Sequence, residues 1–337
     1  MKHFLTVDLA KTFWRASHIP SRASDLEEKV AFAIHVALQC IAAAWRDQKA
    51  DHVVICLEGR SWRKSFYAPY KADRQVARMA KTESEQQEYL AYLSAMDDLA
   101  LFLEEKTNVT VLQHPELEAD DLIGGWIQAH PNDKHTIISS DTDYYQLLAE
   151  NVNQYNGITG ELYTIEGIFD QKGKRKIDKK TGLPLPPPDP AYILFEKCIR
   201  GDPTDNVFSA YPNVRAKSTK NKVGLQEAYA DKGKQGFAWN NLMLQRWVDR
   251  NNVEHRVKDD YQRNVTLIDL SAQPAEIREK IDLTVADGTF DKNRLMIGAQ
   301  FLKFCGKHGL DKLSDQSAMY GKMLSAGYSE NNSSVRV

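Results

Sequence analysis

Two rhythms of hydrophobic and polar positions alternate along the first 150 residues. Short apolar runs rich in β-branched residues read as strands: HFLTVD at 3–8, HVVICLEG at 52–59, NVTVLQ at 108–113 and HTIISS at 135–140. Between them, apolar residues recur every three or four positions and charge gathers at the segment ends. This spacing predicts helices over 25–49 (DLEEKVAFAIHVALQCIAAAWRDQK), 83–106 (ESEQQEYLAYLSAMDDLALFLEEK) and 116–130 (ELEADDLIGGWIQAH), with another beginning at TDYYQLL, 142–148. Strands alternating with helices predict an α/β fold with a mostly parallel central sheet flanked by helices. In such sheets ligands bind at the carboxyl ends of the strands. Asp8, Glu58 and Asp141 each follow a separate strand on that edge.

Further along, the rhythm breaks. Residues 171–190 (QKGKRKIDKKTGLPLPPPDP) hold six basic residues and five prolines, a composition that makes an exposed loop rather than a core. AYILFEKCIR, which runs into GDPTDN, opens a mainly helical stretch with basic segments such as RAKSTKNK at 215–222. The expected division is an α/β core at 1–170 containing a polar segment at 60–105, a basic and proline-rich loop at 171–190, a helical region at 191–327, and a disordered tail at 328–337.

Composition narrows the class. With 42% hydrophobic and 27% charged residues, the chain reads as globular. Its four cysteines are far apart, which argues against a zinc site or a disulfide framework and suits a reducing cytoplasm. The apolar stretch before Asp8 is too short for a signal peptide, and no run of 18 apolar residues predicts a membrane span. The histidines offer no H-x-x-x-H pair, and no nucleotide-binding P-loop or G-x-S-x-G elbow occurs. Gly124 and Gly125 read as a place for close helix packing, and Trp45 and Trp126 as core.

Acidic residues carry the candidate chemistry. Glu118, Asp120 and Asp121 form one cluster, Asp141 and Asp143 a second, and Asp202 and Asp205 a third; Asp8 and Glu58 complete a set of nine. Each cluster alone has a structural reading. Asp141 and Asp202 suit helix N-caps, and Asp120 and Asp121 suit the first turn of a helix. Their recurrence on one predicted edge favours chemistry instead. Hard divalent cations prefer carboxylate oxygens, and phosphodiester cleavage often uses two such ions. The net charge of −2 looks wrong for a nucleic-acid binder, but with nine acids set aside 37 remain against 44 Lys and Arg.

The order Asp8, Glu58, E-A-D-D at 118–121, S-S-D-T-D at 139–143 and G-D-P-T-D-N at 201–206 resembles the 5′-nuclease family. That family comprises flap endonucleases, bacteriophage 5′–3′ exonucleases with ribonuclease H activity, and the 5′-nuclease domain of bacterial DNA polymerase I. The resemblance covers roughly residues 1–225 and is closest to the phage enzymes. It implies a PIN-like core, a helical C-terminal DNA-binding region and two Mg²⁺ ions, with Mn²⁺ able to substitute. Asp8, Glu58, Glu118 and Asp120 would serve the first ion. Asp141, Asp143, Asp202 and Asp205 would serve the second, with Asp121 nearby through water. The segment at 60–105 would be the arch, where Tyr70, Lys71 and Arg74 match a Y-K-x-x-R pattern. Lys71 and Arg74 would act on the scissile phosphate, Tyr70 would stack on an end base, and Arg78 would contact backbone; Arg60, Arg63 and Lys64 read as backbone contacts or solvated charges.

The sequence departs from the family at two places. Position 58 is Glu where Asp is commoner. VFSAYPNVRAKSTKNKVG at 207–224 lacks the paired glycines of the usual helix–turn–helix, which leaves a potassium site unassigned. Arg215, Lys217, Lys220 and Lys222 remain candidate phosphate contacts. The implied substrate is DNA with 5′ ends or flaps, with RNA–DNA hybrid as a second. The expected setting is a monomer in the cytoplasm, a host's if the chain is phage-encoded, working with single-strand-binding or replication proteins. Two other readings stay open: a PIN-type ribonuclease, and a non-catalytic protein that binds branched DNA.

Overall fold

A computed structural model describes residues 1–20, 25–220 and 222–329. The chain folds as two compact units. The first comprises Met1–Arg60, Lys81–Pro188 and Arg278–Val337; the second comprises Ser61–Ala80 and Asp189–Ile277.

The first unit is built on a seven-stranded sheet: β1 (His3–Asp8), β2 (His52–Cys56), β3 (Thr110–Leu112), β4 (Lys134–Ile138), β5 (Val152–Asn156), β6 (Glu161–Thr164) and β7 (Gly167–Phe169), in the order β3-β2-β1-β4-β5-β6-β7. The pairings from β3 to β5 are parallel, and β6 and β7 add an antiparallel extension. The four predicted strands are β1 to β4. Polar β5 (VNQYN) and the short β6 and β7 carried no apolar run to announce them.

Strand β1 is buried along its whole length because helices cover both faces. Leu5 and Val7 join the cluster formed with Ala33, Ile34, Leu38 and Ile41 of helix Leu26–Gln48. Phe4, of opposite parity, meets Trp126 of helix Ala119–Ala129 edge to face, with ring centroids 5.2 Å apart. Side chains alternate along a strand, so Asp8 takes the parity of Phe4 and turns toward that second helix. Helix Leu26–Gln48 starts where Asp25 accepts a hydrogen bond from Glu28 N at 2.8 Å. Helix Glu83–Lys106 starts on a capping box of Thr82 and Glu85. At Gly125 a Cβ would lie 2.2 Å from Ile281 Cγ2, so this glycine lets two helices approach.

The ends of the chain differ from expectation. Phe301, Phe304, Tyr320, Met323 and Leu324 belong to the same core cluster as helix Leu26–Gln48, so residues 278–327 complete the α/β unit rather than a separate helical region. Tyr328, expected in a disordered tail, stacks on Phe4 with Lys2 Nζ 4.2 Å from its ring centre. Residues 330–337, the rest of that expected tail, lie outside the described residues.

The second unit is mainly helical. Helices Pro190–Arg200, Leu225–Asp231, Phe237–Met243 and Val257–Ile268 enclose a core of Phe195, Ile199, Leu225, Leu242 and Val257. A small hairpin, Arg246–Val248 with Glu254–Arg256, is its one β element among the described residues. Residues 61–80, expected as part of an arch on the α/β core, belong here.

Candidate active site

The α/β unit gathers its acids on the carboxyl edge of the sheet. Asp8 ends β1 in register with Cys56, the last residue of β2, and Glu58 lies two residues further on. A backbone zipper then ties the end of β2 to the loop that delivers the next acids. Leu57 N donates to Leu112 O at 3.0 Å, Gly59 N to Leu117 O at 2.8 Å, and Arg60 N to Pro115 O at 2.6 Å. Glu118 is the N-cap of helix Ala119–Ala129, and Ala119 N donates to Glu58 Oε2 at 3.2 Å.

Gly59 is what permits this approach. A Cβ there would sit 2.1 Å from His114 O and 2.6 Å from Leu117 O, both rigid backbone atoms. Gly59→Ala is therefore expected to destabilise the fold by about 1 to 3 kcal/mol through local overpacking. Urea unfolding would measure it, and an unchanged midpoint would mean that the 114–118 loop yields freely.

Asp8 is fully buried and caps helix Leu9–Ser17, its Oδ1 accepting from Lys11 N at 2.9 Å. The buried Tyr144 hydroxyl sits between two carboxylates, 3.2 Å from Asp8 Oδ2 and in a short hydrogen bond to Asp120 Oδ1. Burial first, and the neighbouring Asp120 second, push the Asp8 carboxyl up to about 7. The Tyr144 phenol is raised far above its ordinary range by burial and by Asp120 and Asp8, so it stays a proton donor. Lys11 Nζ lies 2.5 Å from Asp141 Oδ2. Burial works against its charge, but Asp141, Asp120 and Asp8 outweigh burial and hold the ammonium above the usual lysine range.

Asp141 caps the 3-10 turn Thr142–Leu147, accepting from Asp143 N at 3.1 Å, where an α-helix had been expected. Gln154 pins the Asp141 loop by donating to the carbonyls of Ser139 at 2.9 Å and Asp141 at 2.8 Å. Asp121 is fully buried and accepts from Glu118 N at 3.2 Å, so it closes the helix start that positions Glu118 and Asp120. The Cys56 thiol, at the end of the strand paired with Asp8, is pushed well up by burial and by Asp8 and Asp120, which keeps it protonated.

Among the described residues, no group of three or more His, Cys, Asp or Glu is arranged to hold a metal ion as it stands. The Tyr144 hydroxyl bonds Asp8 Oδ2 and Asp120 Oδ1, and the Lys11 ammonium meets Asp141 Oδ2, oxygens that a cation would also seek. The donor set nevertheless fits a hard divalent ion. It is all oxygen and concentrated in charge, and one member is so reluctant to ionise that a cation would relieve it.

The third acidic cluster lies in the helical unit. Asp202 caps the 3-10 turn Pro203–Asp205, accepting from Thr204 N at 2.9 Å, and pairs with Lys197 Nζ at 2.9 Å. Asp205 receives Arg74 Nη2 at 2.5 Å, the Tyr70 hydroxyl at 3.0 Å and Lys71 Nζ at 3.6 Å. Lys71 N also donates to Asp205 O at 2.9 Å, and Asp73 and Asn206 exchange hydrogen bonds. The Y-K-x-x-R pattern thus packs on the GDPTDN loop.

Two expectations are overturned here. Tyr70 is only 5% exposed, with its hydroxyl on Asp205, so it presents no face for stacking on a base. Arg63, read as a backbone contact or a solvated charge, is buried and donates from Nε to Leu267 O at 2.7 Å. Arg78, on helix Ala72–Met79, is exposed, as are Arg60 and Lys64. Arg215, Lys217, Lys220 and Lys222 all stand exposed on one loop. That loop closes at Gly224, where a Cβ would lie 2.3 Å from the Lys217 carbonyl carbon.

Lys11, Tyr144 and Lys197 went unrecognised in the sequence. The signals were there: Lys11 sits one helical turn after Asp8, Tyr144 directly follows D-T-D, and Lys197 precedes Asp202 by five.

Residues 3–177 match the model of the family described as 5′-3′ exonuclease, N-terminal resolvase-like domain. The chain belongs to this 5′-3′ exonuclease family. It is similar to a 5′-3′ exonuclease of Mycobacterium tuberculosis (strain ATCC 25618 / H37Rv), 23% identical over 195 residues, 56% of this chain and 59% of that protein. It therefore spans somewhat over half the length of that relative. Its fold is similar to the bacteriophage T5 flap endonuclease solved in complex with DNA and metal ions, with 17% identity, a TM-score of 0.56, and 85% of this chain and 98% of that one covered. It is equally similar to the T5 5′-exonuclease with bound zinc, with 16% identity, a TM-score of 0.58, and 85% and 99% covered. In this member of the exonuclease family, the α/β unit presents Asp8, Glu58, Glu118, Asp120, Asp141 and Asp143 on one sheet edge.

Proposed function

We propose that this chain is a divalent-metal-dependent 5′-nuclease that hydrolyses phosphodiesters at or near the 5′ ends of DNA. The observation that carries the reading is the buried Asp8 carboxyl, raised to about 7 and joined through Tyr144 to Asp120. Strongly shifted ionisable pairs of this kind cluster at functional sites, and a cation or proton held between the two would relieve them. The proposed ions are two Mg²⁺, with Mn²⁺ able to replace them, and they would supply water activation and charge neutralisation at the scissile phosphate.

The ligands in the α/β unit are Asp8, Glu58, Glu118, Asp120, Asp141 and Asp143, while Asp121 holds the start of their helix. Asp202 and Asp205 keep the second-ion role that the family pattern gives them. Lys71 and Arg74 supply positive charge to the phosphate, and Arg78, Arg215, Lys217, Lys220 and Lys222 bind the DNA backbone. RNA–DNA hybrid is a second substrate, since hydrolysis at phosphate does not require reading the sugar.

Cleavage of a 5′-labelled flap duplex in Mg²⁺, Mn²⁺ or EDTA tests the proposal. Short 5′ products that require metal support it, and their lengths rank exonuclease against flap cutting. Tight DNA binding without cleavage in any metal overturns it in favour of a DNA-binding scaffold. Lys71→Ala is expected to slow single-turnover cleavage by about 100- to 1000-fold, the usual scale for a lost electrostatic group at a reacting oxygen. A rate equal to wild type would remove Lys71 from the chemistry.

A further inference from the structure

The α/β unit carries a groove of about 640 Å³ that shares Glu58 with the acidic cluster and is otherwise lined by residues outside it. Ala10, Leu57, Met96, Ala100, Leu101 and Val111 give it apolar surface, and Asp97, Glu104 and Gln113 join Glu58 as its polar groups. Helix Glu83–Lys106 has two stripes. Tyr92, Ala95, Leu99, Phe102 and Leu103 face the core, while positions 96, 97, 100, 101 and 104 line the groove. Leu101 is 54% exposed there, an apolar side chain left to solvent next to the candidate active site.

The charge of the groove decides what it can hold. Its lining side chains include three carboxylates and no Lys or Arg; Glu104 is met from outside by Lys292 Nζ at 2.8 Å. Apart from Glu58, which the metal site takes, Asp97 and Glu104 are its charged groups, so the lining offers a sugar-phosphate backbone no positive side chain. A nucleobase suits the same lining, because its faces are apolar while its edges carry amino groups for carboxylates and mixed donors and acceptors for the Gln113 amide. We propose that this groove receives an unpaired nucleobase of the strand being cut, held next to the scissile phosphate by continuity with Glu58. The inference rests on the nuclease reading above and adds a base-binding subsite to it.

A substrate-and-variant cycle tests the subsite on the full chain. Flap duplexes carrying a single abasic position, moved one nucleotide at a time across the cut, are compared with the intact duplex. In wild type, one abasic position is expected to lower kcat/KM by about tenfold or more, the scale of one lost base contact. Leu101→Gln and Gln113→Ala, both at exposed positions, are expected to slow the intact substrate by a similar factor and to lose further sensitivity at that position. Non-additivity of this kind marks a direct contact. If wild type cleaves but no abasic position matters, or if the variants and the abasic site act independently, the groove is not the subsite and the nuclease reading stands. If wild type fails to cleave the intact flap in any metal, the nuclease reading itself has failed.

Discussion

Asp120→Asn is expected to slow single-turnover cleavage of a 5′-flap duplex by about 10³-fold or more, equivalent to about 4 kcal/mol of lost transition-state stabilisation. The substitution keeps shape and changes charge. Asp120 lies in the first turn of helix Ala119–Ala129 and accepts the Tyr144 hydroxyl. An asparagine carbonyl can accept the same bond, so the fold is preserved while one anionic ligand is removed from the edge shared with Asp8 and Glu58. DNA affinity in the presence of Mg²⁺, read by anisotropy, is expected to change little, because the backbone contacts lie elsewhere. Partial recovery at raised Mg²⁺ would be the further mark of a ligand. A cleavage rate within tenfold of wild type would remove Asp120 from the metal site.

Asp8→Asn is expected to abolish cleavage and yet raise the thermal stability of the metal-free protein above neutral pH by several degrees. The Asp8 carboxyl titrates at about 7 in the folded chain against an ordinary 3.8. Between those values the folded state binds a proton that the unfolded state has released. Its contribution to stability is complete below pH about 4 and is lost as pH rises to about 7, amounting to a few kcal/mol at most. Asparagine is an equally good N-cap and carries no charge, so it keeps the bond from Lys11 N without this pH dependence. Melting curves in EDTA at pH 5.5 and pH 8 check it as a difference between the two proteins, which cancels the slopes of other carboxyls. Saturating Mg²⁺ is expected to reverse the order at pH 8, because a bound cation favours the ionised carboxylate. If Asp8→Asn melts at or below wild type at pH 8 in EDTA, then burial and Asp120 do not strain this group.

Both effects come from one arrangement, in which a function-bearing pair of acids is held together at a cost to the metal-free fold. Tyr144 and Lys11 make that cost tolerable by placing a proton and an ammonium among the carboxylates. The same groups lie on oxygens of Asp8, Asp120 and Asp141 that a cation would also seek.

How much of this was legible in the chain depended on the range of the interactions. HFLTVD, HVVICLEG and HTIISS announce strands because each is buried on both faces and must be apolar throughout; the acids that follow them are then placed by strand direction alone. The start of helix Ala119–Ala129 was readable for a similar local reason, since its acids satisfy their own helix start. Strand β5 was not readable, because VNQYN is polar and is a strand only through its pairing with β4 and β6. Tyr70 looked like a surface aromatic until Asp205, 135 residues away in sequence, took its hydroxyl.

The sequence by itself determined the α/β alternation, the edge on which Asp8, Glu58, Asp120 and Asp141 emerge, and the all-oxygen character of the site. These follow from local periodicity and from the chemistry of the side chains. Only the tertiary structure decided that residues 278–327 return to complete the first core, that residues 61–80 join the second unit, and that the Tyr144 hydroxyl and the Lys11 ammonium meet the carboxylates. Those outcomes depend on which distant surfaces bury one another and which charges meet once water is excluded, and no short window of sequence carries that information.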